Sequence, residues 1–293
     1  MSGTTLMEPP SRGQLGFGGL VPCTAIAHGE SAMVAVLAVE HHAEGSAVPL
    51  LVLSQAPGML AWEVEGGLEA GDDVGTQYFV RGLSRQAGLG SLQVTAWLEP
   101  AVPPEARRLE LIASGIQRVS SPRAGIGIER PLPDGTWELS VELVPDRTAT
   151  SMPDEPGTAS LGPAAPRVPA RGMAGFRGLV PVGQARVVSG GAVCIWAVER
   201  YQDRAVMTVA VLRGEEGAGL GGTVEVWDDR GGRYHVALLH ETSRDGWTEG
   251  SLELVPALDP RARVLGVRLA GLEPPGVMDG PFQFGVTLPE LPE

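Results

Sequence analysis

The sequence predicts an all-β protein that consists of two tandem antiparallel β-sandwiches produced by an internal duplication. One string of residues occurs twice, at positions 156 residues apart. The 293 residues include 41 Gly and 25 Pro, and these turn formers separate short runs rich in Val, Leu, Thr and Trp. Such spacing of short β-prone runs is typical of sandwiches. Amphipathic helical runs are scarce, which disfavours an α or α/β class.

The repeated string has the pattern D-D-x-G-x-x-Y, then 21 residues, then P-x-x-x-P-x-A-R-x-L. Its shared positions include Asp72, Asp73, Gly75, Tyr78 and Arg107 in the first copy and Asp228, Asp229, Gly231, Tyr234 and Arg263 in the second. An earlier string, G-F-x-G-L-V-P, occurs at 16–22 and again at 175–181, an offset of 159 residues. Both matches indicate that one structural unit is present twice.

The predicted organisation follows from these matches. Residues 1–15 form a disordered tail, 16–145 the first sandwich and 175–293 the second. A linker rich in Pro, Ala, Ser and Gly joins them over residues 146–174, and such a composition favours an extended spacer.

The strands of each unit are predicted from apolar periodicity. The runs 33–40 and 193–199 are apolar on both faces, which indicates buried strands. Further strands are predicted in the second unit at 206–212, 223–227, 233–240, 251–255, 263–269 and 282–288, and a strand around Trp137–Leu143 ends the first unit. The first unit has 11 additional residues between Leu109 and Trp137. They form either a longer loop or an added edge strand.

The order of these signals resembles a known family. A strand that ends in an Asp-x-x-Gly turn precedes an aromatic residue, a Pro-rich turn and a strand carrying a Leu, from Asp72 to Leu109 and from Asp228 to Leu265. This arrangement is similar to the immunoglobulin-like β-sandwiches of many uncharacterised bacterial proteins and of some sigma-factor-regulator ectodomains. The resemblance implies immunoglobulin-like modules.

Composition limits the classes of partner and the compartment. The net charge is −13, and all 22 basic residues are Arg. The absence of Lys and Asn is typical of a high-GC bacterium. An acidic chain repels phosphate backbones and anionic membranes, so nucleic acid and membrane are not expected partners. The N-terminus has no secretory apolar segment, and a cytoplasmic location is expected. Cys23 and Cys194 occupy non-equivalent positions, and both are expected to be thiols.

The paired aspartates are the first candidate site. Asp72, Asp73, Asp228 and Asp229 could bind Ca²⁺, but the motif lacks the alternating oxygen ligands of a calcium loop. An Asp that accepts backbone hydrogen bonds, followed by Gly with positive φ, explains the same letters as a turn. Arg107 and Arg263 could pair with Asp73 and Asp229 of their own unit. No metal or cofactor is predicted.

Two tryptophans are candidate contact residues. Trp227 adjoins the acidic turn and Trp247 lies in D-G-W, so one or both could be exposed and could stack on a sugar or anchor a protein. The alternative is that both pack in the core or at its rim. The expected function is a non-catalytic interaction, adaptor or assembly module that binds another protein or itself. Two alternatives remain open, namely a carbohydrate or small-ligand binder and an enzyme whose carboxylate site is not visible in sequence.

Overall fold

The computed structural model describes residues 17–22, 25–56, 58–120, 128–143, 153, 175–188, 191–213, 220, 222–244, 247–272 and 281–289. Within these ranges the chain forms strands and one short helix, so the predicted all-β class is confirmed. The tail at 1–15 lies outside the described residues. So does the predicted linker at 146–174, except for Pro153. In the described part of the chain, no helix has the length and apolar character needed to cross a membrane.

The N-terminal half contains thirteen strands and one helix among the described residues. They are β1 (Phe17–Pro22), β2 (Ile26–His28), β3 (Ala32–Val36), β4 (Ala38–His42), β5 (Ser46–Ser54), β6 (Met59–Ala61), α1 (Val64–Gly67), β7 (Leu68–Asp72), β8 (Phe79–Gly88), β9 (Ser91–Glu99), β10 (Arg108–Ser114), β11 (Gln117–Ser120), β12 (Ile128–Pro131) and β13 (Thr136–Glu142).

The C-terminal half contains eight described strands. They are β14 (Phe176–Val188), β15 (Gly191–Tyr201), β16 (Ala205–Arg213), β17 (Thr223–Asp228), β18 (Arg233–Arg244), β19 (Trp247–Val255), β20 (Val264–Ala270) and β21 (Phe282–Thr287).

The two halves follow the same order of antiparallel pairing. In the C-terminal half the order is β14-β15-β16-β19-β18, and β17-β20-β21 forms a second layer. In the N-terminal half the edge strand is divided into β1 and β2, and the strand beside it into β4 and β3, with β1 pairing with β4 and β2 with β3. Both β3 and β4 pair with β5, and β5-β9-β8 complete the sheet. Its second layer is β7-β10-β13. We call the five-position sheets the central sheets and the three-stranded ones the outer sheets.

Each central sheet packs on its own outer sheet. One buried cluster joins Val34, Val52 and Val94 to Leu111 and Leu139 in the N-terminal half. The outer strand β13 alternates exposed and buried residues, because only one of its faces is covered. As the apolar alternation predicts, Trp137 is buried, and its Nε1 donates a hydrogen bond to the Ala32 carbonyl (3.3 Å).

The central sheets also pack on each other. A third buried cluster contains Met33 and Leu51 from one half and Cys194, Trp196 and Ala210 from the other. All nine residues of β5 are buried, since this strand is covered by the outer sheet on one face and by the opposite half on the other. This position explains why the central strands are apolar on both faces, and it confirms that the runs 33–40 and 193–199 are buried, although the first is divided at Leu37 between β3 and β4.

Three details differ from the sequence prediction. The additional residues of the N-terminal half include β11 and β12, which form a small third sheet with β6. Strand β18 extends to Arg244, and β19 begins at Trp247 rather than Ser251. Strand β18 pairs with β17 only at Tyr234 and Arg233, then continues along β19 in the central sheet. The D-D-x-G turn therefore connects an outer sheet to a central sheet.

Candidate functional site

The first aspartate of each repeat closes its turn. Asp228 Oδ1 accepts hydrogen bonds from the backbone N–H groups of Arg230 (2.9 Å) and Gly232 (2.7 Å), and Oδ2 accepts from the Tyr234 hydroxyl. Gly231 has φ +83°, a value that favours Gly. One carboxylate thus fixes the turn and the aromatic residue that follows it.

The same arrangement occurs in the N-terminal half. Asp72 Oδ1 accepts from the backbone N–H of Val74 (3.1 Å) and Thr76 (2.8 Å), and Oδ2 accepts from the Tyr78 hydroxyl. Gly75 has φ +94°. Burial raises the pKa of Asp72, but the bonds from Tyr78 and Thr76 outweigh burial, and its pKa lies below the ordinary value. Burial and the bond to Asp72 raise the pKa of Tyr78.

The second aspartate joins the turn to the P-x-A-R-x-L strand. Asp229 Oδ1 accepts from the backbone N–H of Arg263 (3.0 Å), and Asp73 Oδ1 accepts from the backbone N–H of Arg107 (3.0 Å) and Arg108 (3.2 Å). The bonds that join Asp229 to Arg263 and Asp73 to Arg107 are thus made by the main-chain amides of the two arginines, whereas the sequence predicts a pairing through their side chains. Such a bond requires no particular side chain at the Arg position.

The candidate metal ligands have a structural use. The oxygens named above for Asp72, Asp73, Asp228 and Asp229 already accept hydrogen bonds from backbone amides and tyrosine hydroxyls. Over the described ranges, no group of three or more His, Cys, Asp or Glu residues is placed to hold a metal ion.

The two candidate tryptophans have different outcomes. Trp227 is only 3% exposed, and its Nε1 donates to the Pro153 carbonyl (3.2 Å), so of the two interpretations from sequence it is the packed one that applies to Trp227. Its ring lies over Gly266, where an added Cβ would approach Trp227 Cε2 to 2.3 Å. Trp247 lies at the start of β19, and its side chain is outside the described part of the structure. The prediction for Trp247 stays a prediction.

A large open cleft surrounds the D-D-x-G turn of the C-terminal half. Its volume is about 1550 Å³, and its lining comes from four segments, 176–177, 200–202, 228–234 without Asp229, and 256–263 without Ala262. Six arginines line this cleft: Arg177, Arg200, Arg230, Arg233, Arg261 and Arg263. Asp228 and Asp259 are the acidic residues of the lining, so the formal charge of the cleft is six positive minus two negative, or +4. The whole chain, by contrast, carries −13.

The acidic groups of the cleft serve the backbone. Asp228 binds its own turn as described, and Asp259 Oδ1 accepts from the backbone N–H of Arg261 (2.8 Å). Within the described residues, the side chains of Arg177, Arg230 and Arg261 form no salt bridge or hydrogen bond. The cleft thus holds positive charge that its own carboxylates do not pair.

Arg200 forms the base of this positive region. It is only 3% exposed, and its Nη1 donates to the Pro289 carbonyl (3.3 Å). Burial lowers the pKa of Arg200, and the positive charge of Arg263 lowers it further, although Tyr234 opposes both effects. The lowered pKa of Arg200 reflects its burial first, and the neighbouring positive charge only adds to it.

The equivalent positions of the N-terminal half lack this charge. At the repeat offsets, Arg177, Arg200, Arg230, Arg233 and Arg261 correspond to Gly18, His41, Val74, Gln77 and Glu105. Only Arg263 has an arginine counterpart, Arg107. The scaffold residues Asp, Gly and Tyr are the same in both halves, so the charge of the cleft is not required by the turn.

The cleft is not predicted from sequence when the two copies of the repeat are compared only at the positions they share. The signal was in the positions where they differ. Five arginines at lining positions of one copy are replaced by uncharged or acidic residues in the other.

Comparisons with known proteins do not identify the chain. No family model matches it, and no curated protein matches it. A crystal structure titled a conserved domain protein from Bacillus anthracis aligns with 11% identity over 85% of this chain and 78% of that chain, at a TM-score of 0.29.

Proposed function

We propose that this protein is a non-catalytic binding protein that holds an oligo-anionic ligand in the C-terminal cleft. The observation that carries the proposal is the arginine set that lines the cleft and is absent from the same positions of the N-terminal half. Arginine presents five donors in a planar fork that matches carboxylate and phosphate groups. A lining of this kind favours a ligand with several such groups.

The shape of the cleft supports an extended ligand. The arginines come from four separate segments, and Arg200 is buried at the base while Arg177, Arg230 and Arg261 are exposed. A single small anion would contact only part of this set. The acidic remainder of the protein disfavours a long nucleic acid, since charges outside the cleft would repel it. An acidic segment of another protein fits both constraints.

The alternatives from sequence receive less support. The carbohydrate alternative depended on Trp227, which is buried, and on Trp247. An enzyme with two carboxylates in a pocket would use Asp228 and Asp259 here. Asp228 accepts three hydrogen bonds from its own turn and Asp259 accepts one from Arg261, so their oxygens already have backbone and hydroxyl donors.

A titration with defined anions tests the proposal. The probes are a hexaglutamate peptide and tripolyphosphate, with binding to the full chain followed by calorimetry at low ionic strength. We expect one site per chain, weakened by salt. The triple variant R230V/R233Q/R261E places the N-terminal half's own residues in the cleft. It is expected to weaken binding at least about tenfold, since charge-assisted hydrogen bonds are lost.

The control for this titration alters charge by the same amount elsewhere. The variant R85V/R107Q/R108E removes three exposed arginines of the N-terminal half and is expected to bind the probes as the native chain does. Tighter binding of hexaglutamate than of tripolyphosphate would favour a protein segment as the ligand, and the reverse order would favour a phosphate compound. Failure of both probes to bind, or equal loss in both variants, would refute the proposed function.

A further inference from the structure

The contact between the central sheets joins residues that are equivalent in the two halves. Gln93 Nε2 donates a hydrogen bond to Glu249 Oε1, and Gln86 Nε2 donates to Thr242 Oγ1 (3.1 Å). Each pair is separated by 156 residues, the offset between the two copies of the repeat. A position that contacts its own counterpart lies on a two-fold axis.

Gln93 and Gln86 belong to a row of cross-strand partners that crosses the whole central sheet, and Glu249 and Thr242 belong to the equivalent row of the other half. In the N-terminal half, cross-strand partners form the row Ile26, Ala35, Leu51, Gln93 and Gln86. In the C-terminal half, they form the row Ala185, Cys194, Ala210, Glu249 and Thr242. Each member of the first row is the repeat equivalent of the corresponding member of the second. The apolar members of both rows pack in the cluster between the sheets.

We infer that the face between the central sheets is a self-complementary dimer interface made intramolecular by the linker, and that the partner it fits is the complementary half of a second copy of this chain. Both sides use the same positions, as isologous interfaces do. The apolar face of one central sheet packs on the apolar face of the other, and the polar residues at one end of each face hydrogen-bond to each other, so each face is complementary to the other. The inference is independent of the anion-binding proposal.

The direction of the axis determines what the linker must do. An axis that runs across the strands reverses strand direction between the two halves, so their D-D-x-G turns lie at opposite ends. Strand β13 ends at Glu142 beside Arg108, at the turn end of the N-terminal half. Strand β14 begins at Phe176, which lines the cleft at the turn end of the C-terminal half. The described residues on either side, Leu143 and Gly175, therefore lie at opposite ends of the central strands, which places them about one nine-residue strand apart, roughly 30 Å.

The polar pair on the axis offers a sharp test of the symmetry. Glu249 accepts from Gln93 and from Thr95 Oγ1 (3.3 Å), and the equivalent of Thr95 is Ser251, also buried. In the single variant Gln93→Glu, two carboxylates face each other at a buried position. In the exchanged pair Q93E/E249Q, the new carboxylate again meets a glutamine, and the Ser251 hydroxyl faces it across the interface as Thr95 faces Glu249 in the native chain.

The first experiment inserts a protease site between Gly157 and Thr158 and cleaves the folded full chain. Light scattering and subunit exchange with labelled nicked protein measure how tightly the halves associate. We expect a 1:1 complex at micromolar concentration, at least tenfold weaker association for Q93E, and recovery to within about threefold for Q93E/E249Q. The exposed control Glu110→Gln is expected to leave association unchanged. Halves that separate on cleavage, or a Q93E/E249Q pair as weak as Q93E, would overturn the inference.

The second experiment deletes residues 147–171, which removes the span between the two ends. The shortened chain is expected to exchange halves with a second copy and to elute with twice the mass of one chain. A folded monomer would overturn the inference. If the shortened chain does not fold, subunit exchange in the nicked full-length protein is the test. Two labelled preparations form mixed complexes only when the halves associate without an intact linker.

Discussion

Replacing Asp228 with Ala is expected to lower the free energy of unfolding by about 3 kcal/mol, more than any other single change in the two turns. Asp228 is 1% exposed and accepts hydrogen bonds from two backbone amides and the Tyr234 hydroxyl. Without it, three donors lose a charged acceptor, and the buried ones cannot reach water. Urea denaturation measures the loss.

Asp72 is the matched comparison for Asp228, because it makes the same three contacts in a turn that is half-buried. Water can replace part of its bonding, so Asp72→Ala is expected to cost about 1 kcal/mol. Arg107→Ala retains the amide that Asp73 binds and is expected to change stability less than either. Equal losses for Asp72→Ala and Asp228→Ala would contradict burial as the cause of the difference.

Placing a charge between the central sheets is expected to have the largest effect on stability. Leu51 is fully buried in the cluster that both halves share, in the row that follows the two-fold axis. Leu51→Arg buries a guanidinium in an apolar cluster, and the Glu249 carboxylate opposite Gln93 on the next strand already accepts hydrogen bonds from Gln93 and Thr95, so the change costs about 3–5 kcal/mol. The measurement is urea denaturation followed by circular dichroism, together with the association of the nicked halves.

Val187→Arg is the control for this change, because Val187 lies on the edge strand β14 and is 68% exposed. Its effect is expected to stay within about 0.5 kcal/mol. If Leu51→Arg were as mild as Val187→Arg, the two central sheets would not bury a common face.

Local chemistry made much of the fold predictable from sequence. Alternation along Trp137–Leu143 marks a strand with one covered face, and apolar runs such as 206–212 mark strands covered on both. The Asp and Gly of the repeat act within a few residues, through an accepted amide bond and a positive φ, so their turn could be predicted from Asp228 and Gly231 alone.

The remainder depends on contacts between distant residues. Apolar character on both faces of the run 33–40 indicates burial, but it does not reveal whether a sheet of the same half or of the other half covers the second face. Trp227 adjoins two aspartates, yet Gly266 on the next strand leaves space for its ring. The arginines of the cleft are far apart in the chain, at 177, 200 and 261, and only the fold brings them together.

Transfer of the arginine set between the halves tests the central claim most directly. The variant G18R/H41R/V74R/Q77R/E105R introduces into the N-terminal half the residues that line the C-terminal cleft, on a turn with the same Asp, Gly and Tyr. Calorimetric titration with hexaglutamate then counts the sites. We predict two sites per chain in this variant and one when R230V/R233Q/R261E is added. A variant that folds with the native β content but still binds at a single site, or native protein that binds none, would contradict the account.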